Sequence, residues 1–312
     1  MNWARLGRIV FASLGLALLP ATQIAAKPKL AGTELDGKGF ETIFNGSSLA
    51  GWEGDPRVWS VKDGVINAQT THPIDHNTYL IFGKRYADFE IRLKYRFLSA
   101  QGNSGLQFRS GRVDGDYALA GPQANIVPVP NLNCGRPTCG QERFGMLSEE
   151  LNRAELVLLG QKAVITRRQM TIGGTGQIVR TVLGTTNPES RLLGSVRPAP
   201  EWNEVVVIAV GPRIVYVLNG LLLFDATDRD PLAMREGLVG FQAHALGAES
   251  FQFQFKDIAI KRLTQMPDIA KRYKSQPTAE QEPVRTYRDI RMTDGKLYVP
   301  PVASSDPAAP RK

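Results

Sequence analysis

Apolar and polar residues alternate with a period of two through most of the middle of the chain. In "DFEIRLKYRFL", Phe89, Ile91, Leu93, Tyr95 and Phe97 share one parity, and Glu90, Arg92, Lys94 and Arg96 share the other. This predicts a strand with one buried face and one wet face. "WSVKDGVINAQ" predicts two strands about an Asp63-Gly64 turn, and "RIVYVLNGLLLFDA" two more about Asn219-Gly220, because both dipeptides accept the positive φ of tight hairpins. In "SFQFQFKDIAI", Phe251, Phe253 and Phe255 fall on one parity. Further strands are expected at "SGLQFRS", "PQANIVPV", "KAVITRRQMTI", "EVVVIAVG" and "GLVGFQAHA", and only "LSEELNRAELVLL" reads as briefly helical. Many short strands separated by turns predict an all-β sandwich of two antiparallel sheets, with a jelly roll as its closed form.

The ends of the chain follow other rules. The first 26 residues combine Arg5 and Arg8, an apolar run from Ile9 to Leu19 and a small-residue exit at Ala25-Ala26, the pattern of a secretory signal peptide. The run is about half of the roughly 20 residues that a membrane span needs. A periplasmic or secreted protein is therefore expected, with no transmembrane segment after signal removal. From residue 264 to 312 the chain is rich in proline and charge, and is expected to be mostly extended or disordered. Residues 27–263 remain for one sizeable domain. In an oxidising compartment Cys134 and Cys139 of "CGRPTC" are expected to pair locally.

The net charge of +8 changes the picture little. The signal carries two arginines and the tail three more basic than acidic side chains, so the domain between them is only mildly basic. Nucleic acid is not expected as a partner, since phosphate binding requires a concentrated basic face.

Three strands each carry a polar couplet two residues apart: Gln107 with Arg109, Gln123 with Asn125, and Gln242 with His244. In a regular strand, members of such a couplet are neighbours on one face. The amides and the imidazole donate and accept hydrogen bonds, as sugar hydroxyls do, and the arginine adds donors. Glu149 and Glu150 of "SEELNRAEL" are candidates for a general base or an oxygen ligand to a divalent ion, although an acidic pair is also a common helix-start feature. His72 and His76 of "HPIDH" are assigned to a loop, because Pro73 rules out a helical metal pair.

"FETIFNGSSLAGW", "WSVKDGVI", "YADFEIRLKYRF", "NSGLQFRS", "GPQANI", "WNEVVVIAVGPRIVYVLNG", "GLVGFQAH" and "FQFKDIAIKRL" resemble, in order, the pattern of the 3-keto-disaccharide hydrolase family, which includes 3-keto-glucoside lyases and 2-hydroxy-3-keto-glucal hydratases. The resemblance runs from about Phe40 to Leu263. It implies a concanavalin A-like jelly roll, export, and cleavage of 3-keto-glycosides by elimination through an enediolate followed by hydration. It further implies Glu150, Arg109 and His244 as catalytic residues, with Glu149 second to Glu150. Asn103, Gln107, Gln123, Asn125, Gln242 and Arg153 would bind substrate, and Glu150 would hold a divalent metal if one is used. One departure stands out: related sequences often read Gln-x-Asp-Ile where this chain has Gln123-Ala124-Asn125-Ile126. Asparagine keeps the shape of aspartate but cannot take a proton. The alternative is therefore a non-catalytic carbohydrate-binding protein of the same fold.

Overall fold

The structure is a computed structural model that describes residues 38–70, 74–100, 102–128, 144–168, 176–245 and 250–276, and the backbone of three short strands between 285 and 298. The signal-like segment, both cysteines and His72 lie outside the described residues.

Two sheets face each other, as the alternation predicts. The larger has eleven strands, with Phe89–Phe97 between Asn203–Val210 and Phe251–Arg262 near its middle. The smaller has seven. In spatial order these are Ala154–Val157, Leu147–Glu150, Leu119–Ile126, Ser104–Arg112, Gly237–Ala243, Thr78–Tyr86 and Trp52–Glu53. Among the described residues, all pairings between strands are antiparallel except that of Gln161–Arg168 with Leu221–Asp228, and an isolated parallel bridge joins Leu221 to Lys274. The result is an all-β jelly-roll sandwich of the expected class.

One continuous core fills the space between the sheets. Phe89, Ile91, Leu93, Tyr95 and Phe97 enter it from the larger sheet, and Leu80, Leu106, Phe108, Ala124 and Phe241 from the smaller. Aromatic rings bridge the layers: Phe241 stacks on Phe255 of the larger sheet with centroids 4.2 Å apart, and within its own sheet on Trp52 at 5.5 Å. Both predicted hairpins form, with Asp63 and Gly64 at φ 51° and 77° and Asn219 and Gly220 at 47° and 81°.

Two elements depart from the sequence reading. The segment read as helical is a hairpin of the Leu147–Glu150 and Ala154–Val157 strands, turned at Leu151 with φ 52°. Leu147, Leu156 and Val157 reach the core through this pairing, which overrides local helix propensity. The tail also begins as folded chain. Ile269, in a short helix Ile269–Arg272, packs with Met266 and Tyr273 over Val206, Ile208, Val215 and Val217 on the outer face of the larger sheet.

Truncating Phe241 to alanine removes both stacked contacts and is expected to cost about 3–5 kcal/mol. Urea unfolding should show a lower midpoint with an unchanged slope. A loss below about 1 kcal/mol would mean that the rings do not couple the sheets.

Candidate functional site

On the smaller sheet, the side away from the core carries a polar array. Gln107 is in register with Gln123 and with Gly240, Gln123 with Ser148, and Gln242 with Tyr79. Their chain neighbours Leu106, Phe108, Ala124 and Phe241 belong to the core, so alternation aims the polar members the other way. Although they point away from the core, Tyr79, Gln107, Gln123, Asn125 and Gln242 are each at most 2 % exposed. The 113–118 connection closes one end, with Tyr79 N donating to Tyr117 O at 3.0 Å. At that end Tyr79, Ile81, Leu119 and Leu238 form a small apolar cluster.

The array is linked across four strands. Gln123 Nε2 lies 3.5 Å from Glu150 Oε1 and donates to Asn125 Oδ1 at 2.9 Å and Gln242 Oε1 at 3.1 Å. Gln242 Nε2 continues to the Tyr79 hydroxyl at 3.1 Å. Ser148 Oγ donates to Asn125 Oδ1 at 3.0 Å, so that acceptor is shared by two donors. Gln123 can reach Gln242 only because Gly105 lies beneath it: a Cβ there would come within 2.4 Å of the Gln123 side chain. Burial, and then the nearby charge of Glu150, pushes the Tyr79 phenol well above its ordinary value, against the pull of the surrounding Gln242, Gln107 and Asn77 amides. Tyr79 is therefore a neutral O–H group across the physiological range.

Two array atoms and one at its edge have no hydrogen-bond partner. They are Gln107 Nε2, a donor, and Gln123 Oε1 and Asn103 Oδ1, both acceptors. Glu150, Asn103 and His244 are only partly buried and form the rim. His244 lies just past the end of its strand, beyond Gln242. Its backbone N–H donates to Asn103 O at 3.1 Å, and Nδ1 donates to Ala245 O at 2.8 Å.

Arg109 is not in this array. Between Gln107 and Gly111 its strand carries one residue more than either neighbour, a bulge with Arg109 at φ 50°. The couplet with Gln107 is broken, and Ser110 stands beside Gln107 instead, its hydroxyl donating to Gln107 Oε1. The guanidinium of Arg109 is 0 % exposed and donates to Ala87 O at 2.7 Å, Gly211 O at 2.8 Å and Asp88 Oδ1 at 3.0 Å. Burial lowers its pKa to about 10, partly offset by Asp88, so it remains charged at neutral pH. Its expected catalytic role is replaced by one of tying together the turns at Ala87-Asp88 and Gly211.

Glu149 and Arg153 also lie elsewhere. Glu149 has the parity of Leu147 and points inward, where it pairs with Arg153. Arg153 also bonds Asp228 Oδ2 at 2.6 Å and Asp230 Oδ2 at 3.1 Å, and Arg167 Nη2 bonds Asp230 at 2.8 Å. Arg153 is 1 % exposed and does not face a substrate site. This ion cluster joins the sheets and pins the turn that carries Glu150. Among the described residues, no three His, Cys, Asp or Glu side chains gather to hold a metal.

Tyr79 was not legible as a site residue, since "TYLIF" reads as a continuous apolar strand. Its alternation with Leu80 was the available signal.

An amide-lined polar face on a jelly-roll sandwich is suited to pairing with sugar hydroxyls. The chain is a member of the 3-keto-alpha-glucoside-1,2-lyase-like domain family, whose profile matches residues 39–261. Among solved structures it is similar to a protein provisionally named a glycosyl hydrolase from Parabacteroides distasonis, at 20% identity over 72% of this chain and 94% of that one, with a TM-score of 0.46. It is also similar to a Bacillus subtilis protein of galectin-like fold, at 12% identity, 72% and 94% coverage and a TM-score of 0.44. A third is a β-glucanase from Bacillus licheniformis, at 10% identity, 73% and 100% coverage and a TM-score of 0.39. No curated protein matches the chain.

Replacing Arg109 by lysine leaves buried acceptors unpaired and is expected to cost about 3 kcal/mol or more in chemical denaturation. A stability within about 0.5 kcal/mol of the parent would return Arg109 to the list of candidate catalytic groups.

Asp230 gives a pH signature. Burial pushes its carboxyl up, but the Arg167 hydrogen bonds, the Leu232 N–H and Arg153 outweigh it and hold the pKa below its ordinary value. Its stabilisation is therefore present above the unfolded carboxylate range, about pH 4, and is lost as pH falls through the depressed folded value. Urea midpoints taken from neutral to acid pH should fall steeply for the parent and less steeply for Asp230→Asn.

Proposed function

We propose that this carbohydrate-active domain cleaves 3-keto-glycosides at the amide array, with Glu150 as the base. The observation that carries this reading is the pairing of an unpartnered buried donor, Gln107 Nε2, with an unpartnered buried acceptor, Gln123 Oε1, on facing strands. One hydroxylated ligand satisfies both, because a hydroxyl donates and accepts at once. Buried polar groups cost about 1–3 kcal/mol each when unpaired, so such a site gains most from a ligand that pairs them.

A ketone at carbon 3 acidifies the carbon 2 proton. Glu150 takes that proton, and the electron pair of the C–H bond forms the carbon 2–carbon 3 double bond of an enediolate. The negative charge rests on the carbon 3 oxygen. Collapse of the enediolate restores the ketone, forms the carbon 1–carbon 2 double bond and breaks the bond from carbon 1 to the glycosidic oxygen, which leaves with a proton. Water then adds across carbon 1 and carbon 2. The oxyanion is stabilised by fixed donors, and with Arg109 committed elsewhere the available ones are the Tyr79 hydroxyl and Gln107 Nε2. His244, an imidazole at the rim, is proposed to exchange protons there. Asn103, Gln123, Asn125 and Gln242 orient hydroxyls. Export is part of the proposal, on the basis of the signal-like first 26 residues.

A second reading, binding without turnover, is favoured by Asn125. Its Oδ1 accepts from both Gln123 and Ser148, and an amide there cannot act as a base.

With a 3-keto-disaccharide as substrate, the purified protein should release 3-keto-glucose. Glu150→Gln should lower kcat about 10²–10⁴-fold and Tyr79→Phe about 10²-fold, with circular dichroism unchanged. Unaltered turnover in Glu150→Gln removes that residue from the chemistry. Binding of the keto-sugar with no turnover by the parent favours the second reading.

A further inference from the structure

A pocket of about 630 Å³ lies apart from the amide array, bordered by the 55–58 loop, the strands Trp59–Lys62 and Val65–Thr70, and residues 74–78. The 74–79 segment divides the two regions. Tyr79 belongs to the array and Asn77 holds Ala245 N at 3.0 Å, while His76 and Thr78 line the pocket. A volume of this size lies within the usual span of small-ligand sites, about 300–1,000 Å³.

The lining chemistry narrows the ligand class. Arg57 donates through Nε and Nη2 to Asp55 at 3.0 and 2.6 Å, and its backbone N–H adds a third bond to the same carboxylate at 2.9 Å. The guanidinium is thus fixed and neutralised, yet its side chain is 84% exposed and keeps donors for another partner. Asp75 contributes one exposed negative charge, and no face of the pocket carries the concentrated charge that would select a phosphate or a polycation. What remains are hydroxyls and amides: Ser60, Thr78, Asn67 and Gln69. Thr78 is 3% exposed and its Oγ1 has no hydrogen-bond partner, an independent sign of a missing polar ligand. Hydroxyls and amides both donate and accept, which matches a neutral polyol.

We infer that this pocket is a second carbohydrate-binding site, separate from the amide array and taking a neutral di- or oligosaccharide. It holds glycan without chemistry and does not depend on the keto-glycoside reading.

The test is isothermal titration of the full chain with maltose and with cellobiose, as probes of α- and β-linked neutral sugars. Ser60→Trp fills the pocket and should weaken the better-bound sugar at least about tenfold, as should Arg57→Ala, which removes a charged donor. Glu150→Gln should leave that affinity unchanged, and Ser60→Trp should leave any keto-glycoside turnover unchanged. Circular dichroism and the thermal midpoint verify folding, and Arg57→Ala, being on the surface, decides the matter if Ser60→Trp does not fold. Binding that is lost in Glu150→Gln but kept in Arg57→Ala would place the sugar on the array and overturn the inference. So would the absence of binding by the parent at millimolar sugar.

Discussion

Between Gln107 and Gly111 the central strand of the smaller sheet carries one residue more than either neighbour, and the parity of every side chain beyond it is reversed. Without that bulge Arg109 would stand beside Gln107 over the array, where a buried cation would dominate the local field. With it, the guanidinium turns away to meet three oxygens on two turns, and the small hydroxyl of Ser110 takes its place. The bulge depends on two glycines. A Cβ at Gly237 would lie 2.3 Å from the Arg109 carbonyl carbon, and one at Gly121 would lie 2.5 Å from Ser110 Oγ. Gly121, at φ 146°, also has a backbone that side chains rarely adopt. Arg109 thus fixes the architecture while leaving the array electrically neutral apart from Glu150.

Neutrality of the floor has a chemical consequence. Amides oriented by one another keep their donors and acceptors in fixed positions, and in a low-dielectric setting fixed dipoles act strongly on charge that develops nearby. The line from Glu150 through Gln123 and Gln242 to Tyr79 is of this kind, since each member constrains the next. A ground-state sugar is neutral and gains hydrogen bonds. The enediolate of the proposed reaction is anionic and would gain more, which is the differential binding that catalysis requires.

Much of the fold was legible because the alternation was clean. Phe89–Phe97 and the Phe251, Phe253, Phe255 series needed only period two, and Asp63-Gly64 and Asn219-Gly220 carried their own turn chemistry. The array was legible in part, since the Gln123, Asn125 and Gln242 positions followed from the same rule. Arg109 was not, because a bulge is a pairing event between strands and leaves no mark in a single strand's sequence. The Leu147–Val157 hairpin was misread because its Glu- and Leu-rich stretch favours a helix in isolation, and only cross-strand partners reveal the strand.

Adjacent Glu149 and Glu150 show how far one rule reaches once the strand is known. Consecutive side chains on a strand point to opposite faces, so two chemically identical carboxylates receive opposite tasks. Glu149 enters the space between the sheets, where Arg153 is shared among three carboxylates and Arg167 supports Asp230. Glu150 emerges at the array with a neutral amide as neighbour and keeps partial contact with solvent. The inward glutamate is therefore a positioning group for the outward one: Arg153 holds both its carboxylate and the sheet opposite, and the turn between them has little freedom left. For the base proposed at Glu150 such restraint matters, because proton transfer tolerates displacement of only a fraction of an ångström, and in that reading the buried ion cluster and the polar face form one unit.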